Sequence, residues 1–183
     1  IFNPGASSVD LSGWSVQYAN TDSVTWQVTP LNGVLHPGKY YLIRQSNGGP
    51  TGASLPAHDA FNTVILNPTL GKVALVSSTS SLVGKCPAPG AYVDFLGYGS
   101  AVSCSEGSAP TGDLANPVSA VRKNNGCTDT NNNAADWDVQ SAAAPGRISR
   151  RKCHGAPAPL AAWSTFETPK HTNAAPSTTP IAL

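Results

Sequence analysis

Residues 1–18 read "IFNPGASSVDLSGWSVQY". Two apolar residues, Ile1 and Phe2, run into Asn3-Pro4-Gly5, where proline presets φ and glycine accepts a positive φ, so the chain can reverse tightly. From Trp14 an extended pattern begins, with Trp14, Val16 and Tyr18 on one face and Ser15 and Gln17 on the other. A period of two beside a tight turn reads as strands, not as helix.

The same pattern recurs down the chain. "VTWQVT" repeats it around Val24, Trp26 and Val28, and "KYYLIRQ" sets Tyr41 and Ile43 against Tyr40, Leu42 and Arg44. "KVALVSS" and "AYVDFLGYG" are β-branched and aromatic, and "VSAVRK" is a shorter strand candidate. Asn32-Gly33, Pro37-Gly38, Asn47-Gly48-Gly49-Pro50, Asn67-Pro68 and Leu70-Gly71 separate these segments as turns. "LPAHDAFNTVIL" reads as a loop or a short helix with Asp59 near its start. No segment sustains a 3.6-residue period, so the fold class is all-β, a sandwich or barrel of short strands.

Composition bounds the rest. The 183 residues suit one domain of ordinary size with a tail, and 17 glycines with 16 prolines favour turns over long helices. Charged residues make up 11% of the chain, against about 25% in a typical globular domain. A net charge of +1 leaves no electrostatic footprint for nucleic acid. No apolar run reaches the length of a membrane span.

Four cysteines, Cys86, Cys104, Cys127 and Cys153, together with the absence of methionine and a Thr/Asn-rich, weakly charged character, point to an oxidising, extracellular setting. No C-x-x-C spacing supports a zinc or thioredoxin-type site. Of the three full pairings, Cys86–Cys104 ranks first because the two flank one strand region; four free thiols are the alternative. A bridge closing that loop contributes on the order of 3 kcal/mol.

The chemistry-bearing residues are sparse. His36, His58, His154 and His171 are the available bases, and no G-x-S-x-G, H-E-x-x-H or P-loop motif accompanies them. Asp94, inside "YVDFLGY", falls on a strand that should be buried, so it must be hydrogen-bonded or charge-paired. A strand-to-loop tie is the expected role, and a pKa-shifted acid the alternative. "DTNNNAAD" places Asp129, Asn131, Asn133 and Asp136 as oxygen donors for calcium, the only cofactor with any pattern behind it. Ala134 and Gln140 at the sixth and twelfth positions exclude an EF-hand, leaving a simpler loop site or an Asx-turn network. Arg147, Arg150, Arg151 and Lys152 offer weak, salt-sensitive contact to nucleic acid without aromatic stacking partners.

Five blocks in order, "IFNPGASSVDLSGWSVQY", "LHPGKYYLI", "GKVALVSS", "VDFLGYG" and "CTDTNNNAADW", resemble the lamin-tail domain family in its bacterial, secreted branch. The likeness runs from Ile1 to about Trp137. It implies an immunoglobulin-like β-sandwich over residues 1–140, with Ile1 and Phe2 as the last residues of a strand whose front half is missing. A missing partner strand would leave "WSVQYA" or its neighbour with an open edge.

The far end departs from the family. "APGRISRRKCHG" stands where a Pro-Arg-Asn segment and a last cysteine are usual, so a frameshifted or fused ending is expected there. Cys153 matches that last cysteine in order and would pair with Cys127. Residues 141–183, rich in Ala, Pro and Thr with Trp163 and Phe166 as the large anchors of their second half, read as a low-complexity, disordered tail.

The function expected from the resemblance is a non-catalytic interaction or tethering module, a fragment of a larger secreted bacterial protein such as an extracellular nuclease or other hydrolase. Its partner would be a protein or a cell-envelope ligand. The alternative is a secreted hydrolase with its site around His58, Asp59 and Asp94.

Overall fold

The computed structural model describes residues 1–46, 56–115, 118–141 and 165–167. Its strands are β1 (Val9–Asp10), β2 (Ser15–Ala19), β3 (Gln27–Pro30), β4 (Val34–Leu35), β5 (Ile43–Arg44), β6 (Ala60–Phe61), β7 (Gly71–Val76), β8 (Asp94–Tyr98), β9 (Val118–Arg122), β10 (Trp137–Ser141) and β11 (Thr165–Glu167). The all-β reading holds; the one right-handed helical turn among the described residues is Asn133–Asp136. Lys123–Gly126 is a left-handed turn, with Asn124 and Asn125 at φ of 52° and 58°.

The main sheet has the order β3-β2-β7-β8 and is antiparallel throughout. Its register sets Val16, Leu75 and Asp94 in one row across β2, β7 and β8, and Tyr18, Val73 and Leu96 in another. With side chains alternating across a strand, those residues share one face. That face meets Leu11, Leu35, Tyr41, Ile43, Leu114, Ala120 and Trp137 in a single apolar core. The strands opposite are the antiparallel pair β1-β4, the parallel pair β5-β6 and the three-stranded β10-β9-β11. Each fully buried Leu, Ile or Phe in such a core is worth about 1.5–3 kcal/mol of transfer free energy.

The second face of the main sheet is covered as well. There the alternation read in "WSVQYA" holds, and its polar side is covered too: Ser15 and Gln17 are fully buried. Gln17 donates to the Ser80 carbonyl at 2.8 Å and accepts from Leu82 N at 2.8 Å, while Ser15 Oγ donates to the Ser78 carbonyl at 2.6 Å. The segment after β7 thus folds back over β2 and zips to its polar face. Beneath it lies a second apolar cluster of Ala19, Trp26, Ala74, Val76, Leu82 and Phe95.

β2 itself is flanked by β3 and β7, so the open edge falls on its neighbour β3, and on β8 at the other side of the sheet. "LPAHDAFNTVIL", expected as a loop or short helix, is loop over most of its described residues, and within it Ala60–Phe61 pairs in parallel with Ile43–Arg44. Within the stretch expected to be a disordered tail, Thr165–Glu167 pairs antiparallel with β9. The remainder of 142–183 lies outside the described residues, and with it Arg147, Arg150, Arg151, Lys152, Cys153 and Trp163.

At the start of the chain, Phe2 bridges Tyr40, and Tyr41 N donates to the Ile1 carbonyl at 2.9 Å. Asn3 closes the following turn, donating to the carbonyls of Ser7 and Leu35 and accepting from Gly5 N, each at 2.9 Å. Cys86 and Cys104 are disulfide-bonded with their Cα atoms 5.5 Å apart, the pairing ranked first from the sequence. Cys127 is not a free thiol. No helix among the described residues is long and apolar enough to cross a membrane.

Candidate functional site

The densest polar constellation is built where β8 faces β9. Asp94 opens β8 on the core side, beside Leu75, and Arg122 closes β9. Arg122 Nη2 donates to Asp94 Oδ1 at 2.9 Å and Oδ2 at 2.7 Å, with both side chains almost wholly buried. Arg122 Nη1 lies 3.2 Å from Asp129 Oδ1 and donates to the Thr128 carbonyl at 3.1 Å, and it stands 3.8 Å from Asp136 Oδ2. The guanidinium also sits over the Trp137 ring, 4.8 Å from its centroid. A planar fork of donors suits a multi-carboxylate site better than an ammonium would.

Around this cation the "DTNNNAAD" loop is folded by its own side chains. Asp136 accepts from Thr130 N at 2.8 Å, Thr130 Oγ1 at 2.7 Å and Asn132 N at 3.2 Å. Asn133 reaches into the main sheet: its Oδ1 accepts from Gly97 N at 2.8 Å and Glu106 N at 3.1 Å, and its Nδ2 donates to the Phe95 carbonyl at 2.8 Å. Asp129 Oδ1 also receives Asn131 N at 3.4 Å.

The calcium set proposed from the sequence is therefore not assembled. Asp129 and Asp136 turn to Arg122 and to backbone N–H groups, while Asn133 is consumed by β8 and Glu106. The cation at the centre is a side chain. Among the described residues, no group of three or more His, Cys, Asp or Glu side chains is placed to hold a metal ion. The oxygen-rich loop is the Asx network that the sequence left as its alternative.

Glu106 completes the cluster. Its carboxyl is buried, 3.4 Å from Asn133 Nδ2. Burial first, then the carboxylates of Asp94 and Asp129, push its pKa up to about 8, with Arg122 pulling the other way. At neutral pH it holds its proton, so it adds no negative charge of its own to the cluster around Arg122. Arg122 Nε and Trp137 Nε1 have no hydrogen-bond partner among the described residues.

Asp94 is a tie, as expected, but one between two strands across the core instead of from strand to loop. The hydrolase set is dispersed in role. His58 is exposed with its ring 5.7 Å from that of Phe61, Asp59 Oδ2 accepts from Leu42 N at 2.7 Å, and Asp94 is bound to Arg122. A different serine–histidine contact exists: Ser8 Oγ and His36 Nδ1 are 2.9 Å apart on the surface. No carboxylate is hydrogen-bonded to that imidazole among the described residues, so the orienting third member of a triad is missing there.

Sequence reasoning missed Arg122, Glu106 and the reach of Asn133. The available signal was a lone arginine ending the apolar "VSAVR" alternation, which needed a buried acid to pair with. No family model, no curated protein and no solved structure matches the chain.

Proposed function

We propose that this chain is a non-catalytic interaction or tethering module of lamin-tail type, with an immunoglobulin-like arrangement of its two layers, belonging to a larger secreted bacterial protein such as an extracellular nuclease or other hydrolase. The observation that carries this reading is the occupation of the buried ionisable groups. Asp94, Asp129, Asp136 and Arg122 are engaged with one another and with the backbone between β8, β9 and the loop before β10. Groups so engaged hold the layers in register. The Cys86–Cys104 bridge supports the extracellular setting, and the ordered sequence blocks support the family.

The partner is a protein or a cell-envelope ligand, met by the outer surface of the sandwich, where Phe61 of β6 and Ile65 just after it are exposed. A hydrolase reading has one contact in its favour, Ser8–His36. Assays of the purified chain on single- and double-stranded nucleic acid and on simple esters separate the two. No turnover above the uncatalysed rate is expected; turnover abolished by Ser8→Ala, His36→Ala or His58→Ala overturns the module reading.

A further inference from the structure

Lys72 lies on the covered face of the main sheet and is fully buried, although no carboxylate among the described residues is bonded to it. Its ammonium donates to three neutral oxygens: the Lys85 carbonyl at 2.8 Å, the Ser23 carbonyl at 3.1 Å and Ser103 Oγ at 3.3 Å. Trp26 closes the cage, its ring centroid 5.4 Å from Nζ. Burial holds the lysine pKa below its usual value, with the Asp22 carboxylate opposing that shift.

Two of the three acceptors sit directly before the bridged cysteines, Lys85 before Cys86 and Ser103 before Cys104. Cys86 Sγ itself lies 3.3 Å from the Ser103 carbonyl. The third acceptor's loop is tied to the same place, since Ser103 N donates to Thr21 Oγ1 at 3.0 Å and Ser103 Oγ also meets the Thr21 carbonyl. Cys86 is exposed and Cys104 half-buried, so a small thiol can reach the bridge while the amine stays covered.

We propose that the Cys86–Cys104 disulfide gates Lys72, an amine modification site that opens to acyl donors when a dithiol reduces the bridge. In the first step a dithiol thiolate attacks one cysteine sulfur, forming a mixed disulfide and releasing the other cysteine as a thiolate that takes a proton. The reductant's second thiol resolves it, leaving two protein thiols and the cyclic disulfide of the reductant. With the loops unclamped, the neutral amine of Lys72 attacks the acyl carbon of an activated ester or thioester. The new C–N bond replaces the bond to the leaving group, and the amine proton passes to solvent. A buried lysine hydrogen-bonded only to neutral oxygens supplies its neutral form more readily than a surface one.

The test uses N-hydroxysuccinimidyl acetate on the full chain, with and without dithiothreitol, mapped by peptide mass spectrometry. Circular dichroism monitors the sheet throughout. Lys85, exposed and paired at 3.0 Å with Asp22, serves as the internal control. Acetylation of Lys72 relative to Lys85 is expected to rise about tenfold on reduction while the β signal persists. The Cys86→Ser/Cys104→Ser double variant should show the same rise without dithiol. Equal protection of Lys72 in oxidised and reduced protein overturns the proposal. So does labelling that appears only together with loss of the β signal, whether in the variant or in reduced wild type.

Discussion

Arg122 Nη2 stands 2.9 Å and 2.7 Å from the two carboxylate oxygens of Asp94, and neither side chain reaches solvent. The two residues come from different layers, β8 and β9, so this contact fixes how the layers meet. Apolar packing alone tolerates small slides, whereas a forked guanidinium on a carboxylate has one good geometry. The desolvation of both ions means that the pair adds less stability than its Coulomb energy suggests, and that breaking it is costly. Its contribution is register.

Asn133 performs a similar task with an uncharged side chain. It satisfies Gly97 N, Glu106 N and the Phe95 carbonyl together. Asn133→Ala strands all three buried backbone groups and is expected to cost about 3 kcal/mol in urea unfolding. Asn133→Asp, which keeps the acceptor but loses the donor, should be destabilising too. A variant within about 0.5 kcal/mol of wild type would show that water replaces the amide.

Glu106 predicts a pH dependence with a definite sign. Its folded pKa is raised to about 8 from an ordinary value of 4.5. Below 4.5 the carboxyl is protonated in both states and its contribution to stability is fully present. As pH rises towards 8, the unfolded chain releases a proton that the folded chain retains. Stability from this residue then falls by at most about 1.4 kcal/mol per pH unit, levelling off above the folded pKa. Glu106→Gln removes this term, so its stability advantage over wild type should grow from pH 5 to 8 in paired denaturation curves. Parallel curves would contradict the shift.

Calcium should be a bystander. With Arg122 beside Asp129 and Asp136, a second cation meets both repulsion and occupied lone pairs. Differential scanning calorimetry should give one melting temperature with millimolar calcium and with chelator. A rise with calcium would mean that the loop before β10 rearranges to admit the ion.

Gly97 is a point where the main sheet and the bridged loop approach without room for a side chain. A Cβ there would press on the Cys104 carbonyl and come within 2.9 Å of Ser105 Cα. Gly97→Ala is expected to lose about 1–3 kcal/mol, read as a lowered urea midpoint at unchanged slope. An unchanged midpoint would show that the Cys104 loop yields.

The strands were the legible part of this chain, because alternation and turn residues are local signals. β2, β7 and β8 were each visible as β-branched or aromatic runs, and Asp94 announced itself by interrupting one. What alternation cannot say is whether the polar side of a strand is wet. Ser15 and Gln17 share a polar face, and the later segment around Ser78–Leu82 is what covers it. The two-residue strand β6 is too short to carry a period at all. The partner of Asp94 was hidden for a related reason. Arg122 lies 28 residues away in a segment read as an ordinary strand, and the choice among the chain's cations is made by how the layers stack.

The most direct measurement of that tie is a double-mutant cycle on unfolding free energy with Asp94→Ala, Arg122→Met and the pair. Each single change leaves a buried charge without its main partner and should cost about 3 kcal/mol or more. The double variant should cost clearly less than their sum, with a coupling of about 2 kcal/mol. Additivity within about 0.5 kcal/mol would contradict the account, since Asp94 and Arg122 would then not depend on one another.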